Sequence, residues 1–210
     1  TEIKKKYLNE ADIVFLCLPD EVARESAKLV TNPNTKIIDP SVAHRVSKGW
    51  TYGMPELTKD QRGKIIKSSR VTVPGCHATA FVLSIAPLIK TAIMPSDYPV
   101  TVHSITGYSG GGKSLIEKYE NKEINENYIK APRPYGLGLN HKHLPEMKMY
   151  SGLDKYPVFI PIVSNYYKGL AVSIPIHNYL LNKKVSSKDI AELLSEYYKD
   201  ECFVKVMPYN

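Results

Sequence analysis

Residues 71–81 read VTVPGCHATAF, and within this stretch the chain changes from a strand to a helix. Pro74 and Gly75 interrupt the β-branched run, and residues 80–89 have the length and composition of a buried helix. Cys76 is therefore expected at the start of that helix, where unpaired N–H groups and the helix dipole favour an anion. A thiol in such a place ionises readily and can act as a nucleophile. The alternative is that Cys76 is a small buried apolar residue, as most free cysteines are.

A strand, a helix and a second strand precede this stretch. The apolar run at residues 13–18 predicts a strand covered on both faces, and residues 21–39 continue as a helix and another buried strand. This order predicts a βαβ unit with parallel strands in a doubly wound sheet. Ligands of such sheets bind beyond the carboxyl ends of the strands. Pro19 and Asp20 follow the first strand, and Ser41 follows the second.

The second half of the chain carries a different strand pattern. Alternating runs predict three strands, at residues 99–105, 156–162 and 169–176. Alternation is typical of antiparallel or mixed sheets. The fold class is therefore α/β: a partial doubly wound, Rossmann-like parallel sheet in residues 1–75, followed by an α+β domain with a mixed or antiparallel sheet in residues 76–210.

Composition excludes several functional classes. The 210 residues are 43% hydrophobic and 23% charged, which is ordinary for a soluble globular protein. No apolar run approaches the ~20 residues of a membrane span. Three widely spaced cysteines predict neither a disulfide framework nor a zinc site, and they favour the reducing cytoplasm. The net charge of +7 is scattered along the chain, which favours a solvated basic surface over a nucleic-acid-binding one, and an anionic substrate or cofactor would also benefit from that surface.

Residues 107–114 read GYSGGGKS and fit the P-loop pattern GxxxxGK[ST]. The loop follows a strand and precedes a short helix, at residues 114–119. However, the preceding strand alternates, and the strand that resembles a Walker B element comes before the loop instead of after it. A nucleotide hydrolase is therefore the minor hypothesis. The favoured interpretation places the glycine loop beside an anionic group of a substrate or beside the catalytic thiol.

A second catalytic candidate lies at residues 140–146, which read NHKHLPE. In an extended segment His141 and His143 project to the same face, so both can address one site. Two histidines without a third ligand at the right spacing predict no metal site. A cysteine with a distant histidine suits covalent acyl chemistry, in which a thiolate attacks a carbonyl and an imidazole moves the proton. The alternative is a pair of structural histidines.

Four segments together carry a family resemblance that no single one would. They read WTYGMPEL at residues 50–57, PGCHAT at 74–79, GYSGGGK at 107–113 and GLGLNHKHLPE at 136–146. In this order, over nearly the whole chain, they resemble the shorter form of the N-acetyl-gamma-glutamyl-phosphate reductase family. The wider group includes aspartate-semialdehyde dehydrogenase.

The resemblance implies a reaction in arginine biosynthesis. Cys76 attacks the acyl phosphate of N-acetyl-L-glutamyl 5-phosphate and expels inorganic phosphate, and NADPH reduces the resulting thioester to N-acetyl-L-glutamate 5-semialdehyde. His141 or His143 serves as acid/base, and His141 is favoured because it begins the family's HxHxPE element. The alternative within the group is an aspartate-semialdehyde-dehydrogenase-like reductase of another acyl phosphate. Relatives assemble, so a homo-oligomer, dimer or tetramer, is expected.

The remaining candidate site residues are chosen because the reaction requires groups that bind the anionic substrate and groups that bind the cofactor. Basic and orienting groups for the substrate are Arg45, Lys113, Lys142 and Glu146. Residues at strand ends and in the glycine loop are assigned to the NADP cofactor: Pro19, Asp20, Ser41, Gly110, Gly111 and Gly112.

The resemblance also implies a domain division. Residues 1–75 would form a partial dinucleotide-binding domain, and residues 76–210 a domain for catalysis, substrate binding and oligomerisation. A first strand with a glycine-rich phosphate loop is expected before Thr1, and a closing segment after Asn210. The choice between NADP and NAD depends on a ribose contact in that first βαβ unit.

Overall fold

The computed structural model describes residues 1–121, 123, 129 and 131–209. Its first sheet has four short strands: β1 (Ile13–Phe15), β2 (Lys36–Asp39), β3 (Thr51–Tyr52) and β4 (Arg70–Thr72). Their order is β1-β2-β4-β3, and every neighbouring pair is parallel. The predicted parallel sheet is therefore confirmed.

Three helices accompany this sheet: α1 (Glu2–Glu10), α2 (Asp20–Leu29) and α3 (Gln61–Lys67). Val14 and Leu16 pack with α2 in one buried cluster, to which α1 adds Leu8. The opposite face of β1 is open, because Ile13 is 51% and Phe15 62% exposed. The prediction that this strand is covered on both faces is therefore wrong for the described residues.

The second half of the chain forms a mixed sheet. Its strands are β5 (Thr101–Gly107), β6 (Arg133–Pro134), β7 (Val158–Ser164) and β8 (Leu170–Ser173). In the order β6-β7-β5-β8, the central pair β5 and β7 is parallel and both outer strands are antiparallel to their neighbours. The predicted mixed sheet is confirmed.

Among the described residues of this half there are four α-helices of eight or more residues: α4 (Cys76–Lys90), α5 (Lys113–Glu120), α6 (Leu144–Ser151) and α7 (Ser187–Tyr198). Helix α4 is the centre of the main core. Its Phe81 and Ile85 are fully buried and share a cluster with Val102 of β5, Phe159 of β7 and Met147 of α6. Short 3₁₀ turns lie at Pro55–Leu57, Tyr108–Gly111 and Asn178–Leu180. Among the described helices, none combines the length and apolarity needed to cross a membrane.

The histidine segment differs from its prediction. His143 has φ −87° and ψ −9° and caps α6, a helix that the sequence pattern did not reveal. The ring nitrogen Nδ1 of His141 accepts a hydrogen bond from the backbone N–H of His143 at 3.1 Å, which closes a turn. The segment is therefore not extended, yet the turn still brings the two rings together, with centroids 4.7 Å apart.

Candidate active site

A cavity of about 690 Å³, here called the thiol cavity, is lined by Arg45 from the loop after β2, by residues that follow β4, and by residues of the second sheet and its loops. Seven residues selected from the sequence line it: Arg45, Cys76, Gly110, Gly111, His141, Lys142 and His143. Three residues that sequence reasoning missed also line it: His77, Arg133 and Tyr135. The cavity thus combines a thiol, three imidazoles and three cationic side chains.

Cys76 is the first residue of α4 and is exposed. The interpretation of it as a buried apolar residue is therefore wrong. Its sulfur and one ring nitrogen each of His77 and His143 all lie within 4.8 Å of one another. The sulfur stands at a helix N-terminus, where backbone N–H groups favour a negative charge. The arrangement suits a nucleophilic thiolate next to imidazoles.

Gly75 sets the position of the sulfur. Its backbone N–H donates a hydrogen bond to Oε2 of Glu146 at 3.0 Å. A Cβ atom here would lie 2.5 Å from Oε1 of Glu146, 2.5 Å from Nε2 of His143 and 2.6 Å from Nη1 of Arg45. A side chain at this position therefore collides with the groups that surround the thiol.

Glu146 lies beneath the cavity rather than in its wall. Its side chain is 1% exposed and accepts hydrogen bonds from Nη1 of Arg45 at 2.7 Å and from the Tyr52 hydroxyl at 2.8 Å. Burial and the Glu146 charge raise the pKa of Tyr52, so that this hydroxyl stays a donor. Arg45 also donates through Nη2 to the Pro40 carbonyl at 3.0 Å. Glu146 and Arg45, two of the residues predicted to contact the substrate, thus hold separate protein segments together.

Burial controls the protonation of the three histidines. It lowers the pKa of His143 to about 2, helped by His141 and Arg45. Burial also lowers the pKa of His77 to about 4, with a further contribution from His141. The pKa of His141 is lowered by burial and by Lys142. All three rings are therefore neutral at pH 7.

His77 has partners on both ring nitrogens. Nδ1 lies 2.7 Å from Oγ of buried Ser104, and Nε2 lies 3.0 Å from the Tyr135 hydroxyl. Burial and the proximity of Cys76 raise the pKa of Tyr135 to about 12. This hydroxyl is therefore a protonated donor within the cavity.

Only the first part of the glycine loop reaches the thiol cavity. Gly110 and Gly111 line the cavity, and Gly112 has φ +74°, a conformation that favours glycine. Helix α5 begins directly afterwards at Lys113, whose side chain is 90% exposed and pairs with Glu117 at 3.7 Å. The loop thus approaches the thiol, whereas Gly112 and Lys113 are not among the residues that line the cavity.

The residues expected near the cofactor lie at the carboxyl edge of the first sheet. The Val42 N–H donates to Oδ1 of Asp20 at 3.0 Å, and Ser41 donates to Asp39 through both its N–H and its hydroxyl at 2.9 Å. Pro19 caps the start of α2. Pro19, Asp20 and Ser41 are not among the residues that line the thiol cavity. The Val73 N–H nevertheless donates to the Asp39 carbonyl at 2.8 Å, which joins this edge to the segment that leads to Cys76.

The residues that sequence reasoning missed carried weak signals. His77 follows Cys76 directly, but one histidine on a helix has no pattern of its own. Arg133 and Tyr135 follow a stretch that is polar and irregular in sequence. Arg133 donates a 2.6 Å hydrogen bond to the Tyr119 hydroxyl, which is a contact between β6 and α5 that no local pattern reveals.

Comparison with known proteins assigns the family. Residues 76–210 match the model described as semialdehyde dehydrogenase, dimerisation domain, and residues 1–65 match semialdehyde dehydrogenase, NAD binding domain. N-acetyl-gamma-glutamyl-phosphate reductase of Mesorhizobium japonicum is 38% identical over 212 residues, which cover all of this chain and 68% of that protein. The chain belongs to the N-acetyl-gamma-glutamyl-phosphate reductase branch of the semialdehyde dehydrogenase family.

Another curated relative of this family is N-acetyl-gamma-glutamyl-phosphate reductase 2 of Nostoc sp., which is 42% identical over 210 residues. That match covers 99% of this chain, and the chain spans about 65% of the length of that relative. The resemblance inferred from the sequence is thereby confirmed.

Solved structures support the fold alone. Aspartate semialdehyde dehydrogenase from Francisella tularensis superposes with a TM-score of 0.66 at 16% identity, covering 92% of this chain and 65% of that one. Aspartate semialdehyde dehydrogenase II from Vibrio cholerae, complexed with ASA, gives 0.64 at 12% identity over 93% and 62% of the two chains.

Proposed function

We propose that this chain carries the acyl-transfer site of an NADP-dependent N-acetyl-gamma-glutamyl-phosphate reductase of arginine biosynthesis. The enzyme converts N-acetyl-L-glutamyl 5-phosphate to N-acetyl-L-glutamate 5-semialdehyde and inorganic phosphate. The observation that carries the proposal is the exposed Cys76 sulfur at the start of α4, within 4.8 Å of two imidazole nitrogens. The names of the curated relatives support this substrate.

Cys76 is the nucleophile. Its thiolate attacks the carbonyl carbon of the acyl phosphate, a carbon–sulfur bond forms, and the carbon–oxygen bond to phosphate breaks. The start of α4 stabilises negative charge on sulfur and near it. Glu146 supports the attack indirectly, because it fixes the Gly75 N–H and so positions the turn before the sulfur.

His141 is the acid/base group, and His143 is a neutral neighbour of the sulfur. A pKa of about 2 makes His143 a poor base at neutral pH. His141 is only half-buried and lines the cavity, so it can exchange protons with substrate and solvent. In this scheme the neutral ring of His141 takes up the proton that the Cys76 thiol loses and returns it to the carbonyl oxygen during reduction.

Arg133 and Lys142 bind the anionic groups of the substrate. Both line the cavity, and a carboxylate and a phosphate need cationic donors. Tyr119 anchors Arg133 at 2.6 Å, which favours a fixed contact, whereas Lys142 is exposed and suits a phosphate that must leave.

The carboxyl edge of the first sheet fits the nicotinamide side of the cofactor. Pro19 and Asp20 are exposed and Ser41 is half-buried, and the hydrogen bond between Val73 and Asp39 joins this edge to the thiol segment. Asp20 and Glu21 in the first turn of α2 oppose a pyrophosphate there, so these residues suit the uncharged ribose and ring. When bound, the nicotinamide supplies the hydride that reduces the thioester.

The test is the change Cys76→Ser in the intact protein, with Cys202→Ser as the matched control because that cysteine is also exposed and is not among the residues that line the cavity. Phosphate-dependent reduction of NADP by the semialdehyde is the measurement. Cys76→Ser is expected to abolish turnover, and Cys202→Ser to preserve it. Substantial turnover in Cys76→Ser rules out the thioester.

Two alternative functions make different experimental predictions from this proposal. An aspartate-semialdehyde-dehydrogenase-like reductase predicts turnover of a different semialdehyde by the same thiol. A P-loop protein predicts that Lys113→Ala lowers ATP affinity, but the exposed side chain of Lys113 and its pairing with Glu117 disfavour this hypothesis.

The assembly is proposed to be a homo-oligomer, a dimer or tetramer, in the cytoplasm. The match of residues 76–210 to a dimerisation domain supports the assembly. Three free exposed cysteines support the reducing compartment. Light scattering coupled to size-exclusion chromatography tests the assembly, and a monomeric mass contradicts it.

A further inference from the structure

The thiol cavity contains a group of metal-binding atoms that the proposed reaction does not require as a set. Cys76, His77 and His143 each offer one ligand atom, and every pair of these atoms lies within 4.8 Å. Within the part of the chain that the structure describes, this is the only group of three or more such side chains. A set of thiolate and imidazole ligands favours Zn²⁺ over divalent ions such as Mg²⁺ and Ca²⁺, which prefer oxygen ligands.

The surroundings of His77 are those of a metal ligand. Its Nδ1 lies 2.7 Å from Oγ of Ser104, which is fully buried. A partner of this kind fixes the ring and leaves the other nitrogen to bind a metal. That other nitrogen, Nε2, lies 3.0 Å from the hydroxyl of Tyr135, a residue of the cavity wall. Tyr135 is therefore the group with which a metal ion competes for His77.

The surroundings of His143 point the same way. Its side chain is 7% exposed, and Nδ1 is buried without a hydrogen-bond partner. Its Nε2 lies 4.0 Å from Oε1 of Glu146, so a carboxylate stands just behind this ring. This carboxylate is paired with Arg45 at 2.7 Å, so the thiolate of Cys76 supplies the negative charge for a divalent cation.

We propose that Cys76, His77 and His143 bind one Zn²⁺-class ion, which reversibly blocks the thiol. Sulfur and two ring nitrogens form three bonds to the ion, and the cavity leaves the fourth position to a water molecule. The thiol proton passes to solvent and nothing is oxidised. Because the sulfur lone pair is then shared with the ion, the thiol no longer attacks an electrophile. Binding requires neither substrate nor cofactor, so it does not depend on the proposed reductase function.

Co²⁺ is the spectroscopic probe, added to the intact protein in a buffer with a phosphine reductant. We expect one Co²⁺ per chain with a thiolate-to-cobalt charge-transfer band, and displacement of Co²⁺ by Zn²⁺. Cys76→Ser should abolish the band and weaken binding at least about tenfold, whereas Cys17→Ser and Cys202→Ser should change neither. Cobalt binding without the band, or equal binding by Cys76→Ser, overturns the proposal.

Two further variants test the other ligands, with circular dichroism to verify folding. His143→Asn should weaken Co²⁺ binding about tenfold. Tyr135→Phe should tighten it, because the change removes the competing hydroxyl from His77 while retaining the ring. Weaker binding by a folded Tyr135→Phe protein overturns the three-ligand set.

Alkylation supplies a readout independent of the metal spectrum. Zn²⁺ should slow the labelling of Cys76 by iodoacetamide, and a chelator should restore it, while Cys202 is labelled at the same rate throughout. Labelling of Cys76 that is indifferent to Zn²⁺ overturns the proposal even if the reductase activity is confirmed.

Discussion

Two buried carboxylates organise two different regions of this molecule. Asp39, at the end of β2, is fully buried and binds Ser41 and His44, its neighbours two and five residues away, with His44 at 2.6 Å. Glu146, in the first turn of α6, is equally buried, but its partners Arg45 and Tyr52 are 101 and 94 residues away. The first carboxylate shapes its own loop, whereas the second holds separate segments together.

This difference determines what each region can do. The contacts that Asp39 makes with Ser41 and His44 are local to the loop after β2, although the second half also holds this loop, because the Tyr150 hydroxyl donates to the Arg45 carbonyl at 2.6 Å. The thiol cavity exists only when α6 has docked, because Glu146 accepts the Gly75 N–H and the Arg45 guanidinium. The geometry around the Cys76 thiol is therefore tied to tertiary packing at Glu146.

The largest expected effect is that of Glu146→Ala. This change leaves the Arg45 charge buried without its partner, which typically costs about 3–5 kcal/mol. The free energy of unfolding, measured by urea denaturation, should fall by that amount, and turnover should fall with it. A loss of about 1 kcal/mol, the typical value of one hydrogen bond, would contradict this role for Glu146.

Asp39→Asn is the matched control for that experiment. Asparagine keeps an oxygen that can accept the Ser41 N–H, and no buried cation of the Arg45 kind is left unpaired. The expected loss is about 0.5–1.5 kcal/mol. Equal losses for the two variants would remove the distinction between a local and a long-range carboxylate.

The same distinction explains how much of the fold could be predicted from the sequence. Cys76 at the start of α4 was predictable because Pro74, Gly75 and the apolar run behind them are adjacent in sequence. The parallel and mixed sheets were predictable from the two strand patterns. These signals are local, and local signals survive without knowledge of the packing.

The site was predictable only in part for the opposite reason. His141 and His143 do meet in the cavity, but through a turn that caps α6 and not through an extended segment. The pairing of Glu146 with Arg45 and Tyr52 was not predicted, because no sequence pattern records a partner about a hundred residues away. Arg133 went unnoticed because β6 is only two residues long and follows a polar stretch.

Gly75→Ala tests the close packing around the thiol. The new Cβ would lie 2.5 Å from Glu146 and His143 atoms, so neighbouring groups must shift, at a typical cost of about 1–3 kcal/mol. The control is Gly63→Ala in α3, where a Cβ meets no atom within 4 Å. That change should stabilise the helix by about 0.5–1 kcal/mol. Urea unfolding separates them, and similar values for both would show that Gly75 is not constrained.

A pH dependence of stability is also expected from the two buried histidines beside the thiol. The pKa of His77 is lowered by burial to about 4 and that of His143 to about 2, whereas both titrate near ~6.5 in the unfolded chain. Below pH ~6.5 the two histidines are protonated in the unfolded state but remain neutral in the folded state. The stabilisation is therefore complete above pH ~6.5 and is lost as the pH falls toward the folded pKa values.

Urea unfolding between pH 7 and pH 5 measures this effect. Each histidine that is protonated only in the unfolded state contributes up to about 1.4 kcal/mol per pH unit. His77→Gln should reduce the slope by one proton, because the amide does not titrate. His103→Gln, at an exposed position of β5, is the control for the substitution itself. An unaltered slope in His77→Gln would mean that His77 takes up its proton in the folded protein too, and the cavity would then hold a cationic ring beside the thiol.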